Sequence, residues 1–103
     1  MKDLELSRDA GVLLQPTRYK IIKALKGGRN RSMYIDEIAR KIGEKPRLTS
    51  FHLAMLERDG FLESEWREIR KPIASGRAGR FFKLTHKVDD VIAELRSELE
   101  VIQ

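Results

Sequence analysis

Four polar side chains lie close together near the middle of the chain, and their types suit contacts with the edges of nucleic-acid bases. They are Arg47, Thr49, Ser50 and His52. An arginine fork can bond to guanine, a hydroxyl can bond to a phosphate or a base, and an imidazole can donate or accept at a base edge. Catalysis is not indicated, because neither histidine accompanies a triad-like set of residues and no glycine-rich phosphate-binding motif occurs. The residue types therefore predict a binding protein and not an enzyme.

Basic charge is concentrated in two segments of the chain. The 103 residues hold 21 Lys and Arg against 16 Asp and Glu, a net charge of +5. Residues 17–31 carry six basic and no acidic residues, which we interpret as a solvated helix face. Residues 67–85 carry six basic residues against one acidic residue in and beside a short loop, where an approaching polyanion would relieve charge repulsion. Five cations are assigned to the phosphate backbone or the minor groove: Lys45, Arg70, Lys71, Arg77 and Arg80.

Hydrophobic spacing, prolines and glycines divide the chain into elements. Apolar residues recur three and four apart in helices, while proline and glycine mark helix starts and ends. The pattern predicts five helices, over residues 4–14, 16–26, 36–43, 46–59 and 86–103. A β-prone stretch occupies residues 32–35, and alternation in residues 61–69 and 80–85 predicts a β-hairpin with a basic tip. We expect one domain over residues 1–103, of the α+β class and mostly α.

The third and fourth predicted helices have the proportions of a helix-turn-helix, in which the second helix enters the major groove of DNA. We expect Asp36 to cap the third helix. The fourth helix is expected to bury a stripe of Leu48, Leu53 and Leu56, so that its polar residues face outward. The hairpin would place arginines against the adjacent backbone or minor groove. This arrangement predicts binding to double-stranded DNA.

The same residues carry a family resemblance. Residues 50–62, SFHLAMLERDGFL, resemble the Ser-x-His-Leu-x-x-Leu-x-x-x-Gly-hydrophobic signature of the ArsR-like winged helix-turn-helix regulators. Residues 15–18 resemble the Pro-x-Arg opening of a family helix, residues 34–39 its first helix-turn-helix helix, and residues 82–85 the end of its wing. The resemblance implies a winged helix-turn-helix with a two-stranded β-hairpin wing. It also implies a homodimer on an operator with dyad symmetry, and transcriptional control, usually repression relieved by an effector whose identity the sequence does not indicate.

The resemblance further implies that the outer helices, within residues 1–14 and 86–103, form the dimer interface. The apolar residues assigned to that interface are Leu6, Leu13, Val88, Val91, Ile92, Leu95, Leu99 and Ile102. The chain has no cysteine, which excludes the thiolate metal sites of the family's sensors. His86, Asp89 and Asp90 have a spacing that could present ligands to a divalent metal, but we favour a role for the acids in stabilising the helix start. We therefore expect no metal and no other cofactor.

Some alternatives stay open at this point. A winged-helix module that contacts other proteins, or a nucleic-acid or chromatin binder without sequence preference, would use the same surfaces. Trp66 is expected in the core or an interface, whereas Phe51 fits either the core or the sugar backbone. The N-terminus has no apolar signal core and no long apolar run occurs, so we expect a cytoplasmic protein without membrane contact. The scarcity of Asn and Gln beside many Lys, Arg and Glu is a bias seen in heat-adapted proteins.

Overall fold

Helices dominate the molecule, and they are accompanied by a small antiparallel sheet whose strands come from before the third helix and from between the fourth and the last helix. The computed structural model describes residues 2–27, 32–69 and 77–102. Within these ranges the elements are α1 (Lys2–Leu14), α2 (Pro16–Lys26), β1 (Met33–Tyr34), α3 (Ile35–Ile42), α4 (Pro46–Arg58), β2 (Leu62–Ile69), β3 (Arg77–Leu84) and α5 (His86–Ile102). The predicted α+β class with mostly helix and a hairpin wing is confirmed.

The three strands form one sheet in the order β1, β3, β2, and both pairings are antiparallel. The β2–β3 hairpin runs in continuous register, with Leu62 opposite Leu84 at its base and Trp66 opposite Arg80 midway along. β1 lies on the other side of β3, where Met33 pairs with Phe82. The β-prone stretch before the helix-turn-helix is thus a third strand, and it fastens the hairpin to the start of α3.

Local chemistry sets the ends of the helices. Gln15 caps α2, because its side-chain oxygen accepts from the backbone N–H of Arg18 over 2.9 Å. The prediction that Asp36 caps α3 is wrong. Tyr34 is the N-cap, and its backbone N–H donates to Glu37 Oε1 over 3.3 Å. Gly43 ends α3 with φ at 73°, a left-handed conformation that glycine adopts without a steric penalty.

The core draws side chains from every helix of the described chain and from the sheet. Its fully or nearly fully buried apolar residues include Leu13, Ile21, Leu25, Ile38, Leu53, Leu56, Phe61, Phe82, Val88 and Val91. The assignment of Leu13, Val88 and Val91 to a dimer interface is therefore wrong, because these side chains already lie in the core of their own chain. Leu6, Ile92 and Leu95 pack against that core and are partly buried.

The last two turns of α5 differ from its beginning. Leu99 and Ile102 are 61% and 80% exposed, and Val101 beside them is exposed as well. The apolar face that includes Leu99 and Ile102 therefore extends past the core that covers Val88 and Val91. None of the helices that the structure describes has the length and apolar character that a bilayer-spanning segment requires.

Candidate nucleic-acid interface

The turn between α3 and α4 is short and tightly bonded. The backbone N–H of Glu44 donates to the carbonyl of Ala39 over 3.0 Å, which closes the end of α3. Pro46 then occupies the first turn of α4, where its fixed φ suits a helix and its missing N–H costs nothing. Leu53 and Leu56 are fully buried and hold α4 on the core. The two helices thus form a helix-turn-helix whose second member exposes its opposite side.

The exposed side of α4 carries a row of residues at helical spacing. Arg47, Ser50, Phe51 and Ala54 are all exposed, and Lys45 is exposed at the N-cap. The side chains of Lys45, Arg47 and Ser50 form no hydrogen bond or ion pair with any residue that the structure describes. The first turn of α4 contains no acidic residue, so the positive end of its dipole adds to these cations. This surface, Lys45 with Arg47, Ser50, Phe51 and Ala54, is called the α4 face below.

Two residues assigned to base contacts lie on the opposite side of α4, so those assignments are corrected. Thr49 and His52 are buried. The hydroxyl of Thr49 donates to the carbonyl of Lys45 over 3.0 Å, which satisfies it within the helix. Both residues share the helical phase of Leu53 and Leu56, and this phase turns them toward the core. Leu48, expected in the buried stripe, is instead exposed.

His52 is bonded to a cation beneath α4. The Nε–H of Arg18 donates to Nδ1 of His52 over 3.2 Å, and Nη1 of Arg18 donates to the carbonyl of Val12 over 3.5 Å. Burial lowers the pKa of His52, the charge of Arg18 lowers this pKa further, and Glu44 opposes the shift. The accepting Nδ1 and the lowered pKa both favour a neutral imidazole. His52 therefore fixes α4 to α2 and, through Arg18, to the end of α1.

The side chain of Arg80 is also engaged within the chain. Its Nη2 lies 2.9 Å from Oε1 of Glu57 on α4, and its Nε donates to Oγ of Ser64 over 2.8 Å. The Ser64 hydroxyl donates in turn to Oε2 of Glu57 over 2.5 Å. Arg80 lies opposite Trp66 in the middle of the hairpin, so it is not at the wing tip. The assignment of Arg80 to the phosphate backbone or the minor groove is corrected, because its guanidinium is engaged by Glu57 and ties the wing to the end of α4.

Arg67 is a second cation of the wing that is engaged within the chain. Arg67 pairs with Glu65, donates to Ser32 Oγ over 3.1 Å and lies over the ring of Phe81. Arg70 and Lys71, which were assigned to the backbone or minor groove, lie outside the described residues. Arg77 is described only as the first residue of β3. For these three residues the basic tip therefore stays a prediction from the sequence.

Sequence reasoning missed several residues that shape this surface. The Pro-x-Arg opening includes Arg18, but the pattern assigns this residue no role. Its hydrogen bond to His52 connects the segment at residues 15–18 with the segment at residues 50–62. The bond between Glu57 and Arg80 joins residues of different elements, and no local pattern signals it. Trp66 is 69% exposed, so its expected place in the core is wrong and its place in an interface stays a prediction. The exposure of Phe51 answers the alternative left open for it, since its ring is not a core filler.

Metal-ligand chemistry finds little support in the described ranges. Among the residues that the structure describes, no group of three His, Cys, Asp or Glu side chains could hold a metal ion. Asp89, one of the candidate ligands, lies 3.0 Å from Nζ of Lys26 in an ion pair between α5 and α2. The acid at the start of α5 thus connects two helices.

Comparisons with known proteins agree with this geometry. The model of a family described as "Helix-turn-helix domain" matches residues 13–65, just over half of the chain. The matched range runs from the end of α1 through α2, β1, α3 and α4 into β2. A search of curated proteins found no match.

Proposed function

This chain belongs to the helix-turn-helix domain family, and we propose that it is a sequence-specific regulator of the ArsR type that binds double-stranded DNA as a homodimer and represses transcription. Membership of a family that includes ArsR-type regulators supports this proposal. The observation that carries it is the α4 face, on which Lys45 and Arg47 have no partner among the described residues. We expect the protein to act without enzymatic activity and in the compartment that holds the DNA.

We expect the α4 face to enter the major groove of DNA. The groove is about 12 Å wide and admits one helix. In this pose Arg47 would donate two hydrogen bonds to O6 and N7 of guanine, and Ser50 would bond to a base or a phosphate. Lys45 and the first backbone N–H groups of α4 would contact the phosphate chain beside the groove. Thr49 and His52 have no direct contact with DNA in this proposal, because they support the helix from below.

The wing supplies the second contact. We propose that Arg70, Lys71 and Arg77 contact the phosphate backbone or the minor groove. These basic residues border the connection between the two hairpin strands in the sequence. Arg80 instead holds the hairpin against α4 through Glu57. The ion pair of Arg80 and the hydrogen bond of Ser64, both to Glu57, restrain the described part of the hairpin relative to α4.

Dimerisation is proposed for the end of α5 together with α1. Leu99 and Ile102 lie three residues apart on one exposed apolar face of α5, and an apolar helix face of this kind commonly packs against a second copy. Leu6, Ile92 and Leu95 would extend that patch, because they are only partly covered within the chain. A twofold axis between two such helices would present two α4 faces to two half-sites of an operator.

A module that contacts other proteins is the second candidate function. It is favoured by the exposure of Leu48 and Phe51 on α4 and of Trp66 on the wing, because exposed aromatic residues are enriched in protein interfaces. The two candidates make opposite predictions about affinity for DNA.

Electrophoretic retention of random duplex DNA at low salt tests the proposal first. The wild-type protein should retain the duplex, and Lys45→Glu with Arg47→Glu should abolish retention. Lys20→Glu with Lys23→Glu changes the net charge equally on an exposed part of α2, so this matched control should keep most of the binding. Absence of retention by the wild-type protein would favour the protein-contact module. Equal loss of retention in both double variants would show DNA binding that does not depend on the α4 face and would overturn the assigned interface. Selection of bound fragments from the source genome would then identify the operator.

A further inference from the structure

One feature of the α4 face is not explained by phosphate or guanine contacts. Phe51 is 56% exposed, although burying a side chain of this size is normally favourable. Leu48 and Ala54, each three residues away along the helix, are also exposed, and Arg47 lies one turn before Phe51. An apolar ring thus stands in the centre of a surface whose edges are cationic and hydroxylated.

From this position we infer that Phe51 recognises the C5-methyl groups of thymine, so that each half-site places thymine within about two base pairs of the guanine contacted by Arg47. The inference rests on the proposed binding of DNA by the α4 face. It adds a specificity-determining residue and states which bases the half-site contains.

The chemistry of the major groove supports this assignment. The C5-methyl of thymine is the apolar group that base edges present there, whereas the other recognition groups are hydrogen-bond donors and acceptors. A phenyl ring cannot donate or accept such bonds. Its contact with a methyl group is favourable because both apolar surfaces are removed from water. A ring on the α4 face therefore distinguishes thymine from cytosine by a contact that the polar residues beside it cannot make.

The orientation of the Phe51 ring is supported by a contact with the ring of His52. The rings of Phe51 and His52 lie edge to face, with their centroids 5.2 Å apart and their planes at 76°. His52 is buried and is held in turn by Arg18. A ring that is positioned in advance loses less conformational freedom when it contacts a base. The contact with His52 leaves more than half of the Phe51 side chain accessible to a ligand.

Replacement of thymine by uracil isolates the methyl group and tests the inference. The purified protein is used to select duplexes from a random pool made with thymidine, and the enriched duplex is then synthesised with deoxyuridine in place of thymidine. Wild-type affinity should fall by about fourfold for each methyl contact removed. Phe51→Ala should bind the thymidine duplex more weakly and should show equal affinities for the two duplexes.

Two further variants make the result specific to this ring. Tyr19→Ala removes an exposed aromatic ring from α2 and should keep the wild-type preference for thymidine. Phe51→Leu retains an apolar side chain and should keep part of that preference. Since Phe51 is exposed, Phe51→Ala should unfold at nearly the same urea concentration as the wild-type protein.

The outcomes separate this inference from the proposed function. Enrichment of a defined duplex with equal wild-type affinity for its thymidine and deoxyuridine forms would overturn the methyl contact and leave sequence-specific binding intact. The same holds if Phe51→Ala retains the full thymidine preference. Failure to enrich any sequence would overturn sequence-specific binding itself, and the inference with it.

Discussion

Arg18 of α2 donates its Nε–H to Nδ1 of His52 on α4 over 3.2 Å, so a permanent cation is bonded to an imidazole on the buried side of α4. The imidazole can accept this bond only while its Nδ1 is unprotonated. Protonation would place two positive charges side by side in a site that is largely shielded from water. The hydrogen bond between α2 and α4, one of the contacts that hold α4 in place, therefore depends on the protonation state of His52.

Stability should decrease in mild acid because of this pair. Burial and Arg18 hold the pKa of His52 below its ordinary value of 6.5, so the unfolded chain binds a proton more readily than the folded one. Above about pH 6.5 both states are neutral at this site and it contributes no pH dependence. As the pH falls through 6.5 toward the lower pKa of the folded state, the free energy of unfolding should fall. Urea denaturation at pH 7.5 and at pH 5.5 measures this change.

A variant without a titrating ring serves as the control for this prediction. Asn at position 52 can offer Oδ1 to Arg18 but cannot become charged. The loss of stability between pH 7.5 and pH 5.5 should therefore be smaller in His52→Asn than in the wild-type protein. Acidic groups and His86 are common to both proteins and cancel in the comparison. Equal losses in the two proteins would show that His52 has no part in the pH dependence.

The contact between Arg80 and Glu57 should appear as a coupling energy. A double-mutant cycle with Arg80→Ala and Glu57→Ala should give a coupling of about 0.5–1 kcal/mol in the free energy of unfolding, because the pair is partly exposed. The ion pair between Lys83 and Glu63 on the same hairpin is more exposed and has no shared hydroxyl, so its cycle should give a smaller value. Equal couplings would argue against a special role for Arg80 in holding the wing.

Salt dependence should separate cations that contact phosphate from those that do not. Lys45→Ala should reduce the slope of log affinity against log salt by about 0.9, the value for one lost phosphate contact. Arg80→Ala should leave the slope nearly unchanged, because its guanidinium is engaged by Glu57 and Ser64. Filter binding of one duplex at four salt concentrations provides the slopes. A slope that falls for Arg80→Ala as much as for Lys45→Ala would restore Arg80 to the DNA contact.

Arg47 should affect preference among sequences more than salt dependence. Arg47→Ala would remove the proposed bidentate contact with guanine, so the difference in binding free energy between operator and scrambled duplex should fall by about 1–3 kcal/mol. Competition binding with the selected operator and its scrambled version measures this ratio. Full discrimination by Arg47→Ala would assign recognition of guanine to another residue.

The patch at the end of α5 should decide the oligomeric state. Leu99→Glu with Ile102→Glu places two charges on the exposed patch and should give a monomer in analytical ultracentrifugation. These residues lie outside the core, so the helical circular dichroism of the variant should remain close to that of the wild-type protein. Leu48→Glu changes an exposed apolar residue on α4 and should leave the mass of the dimer unchanged. A wild-type protein that sediments as a monomer would contradict the proposed assembly directly.

Features that act through the backbone of a single residue could be predicted from the sequence. Pro46 fixes the start of α4 because of its φ, and Gly43 ends α3 because it adopts a positive φ. The phase of α4 was predicted less well, since Leu48 and Leu53 are five residues apart and do not share a helical stripe. Thr49 and Leu53 do share one, and the polar character of Thr49 concealed it. At position 49 the helical spacing indicates burial correctly, whereas the residue type does not.

Contacts between distant elements could not be predicted in the same way. The stripe of α5 is regular from Val88 to Ile102, but its spacing does not indicate what covers each part of it. The chain's own core covers Val88 and Val91 and leaves Ile102 open. Likewise, the charge of Arg80 was evident from the sequence, whereas its partner Glu57 lies 23 residues away on another element.

Tyr34 ends β1 and is also the N-cap of α3, so the sheet passes into the first helix without an intervening residue. Tyr34 also pairs with Phe81, on the edge of β3 that faces away from β2. The strand pairing and the N-cap of Tyr34 therefore restrain the position of β3 relative to α3. If α4 and the wing both contact DNA as proposed, single-base changes in the binding site alter one contact at a time, whereas a nucleotide inserted between the two contacted stretches would move one of them out of reach.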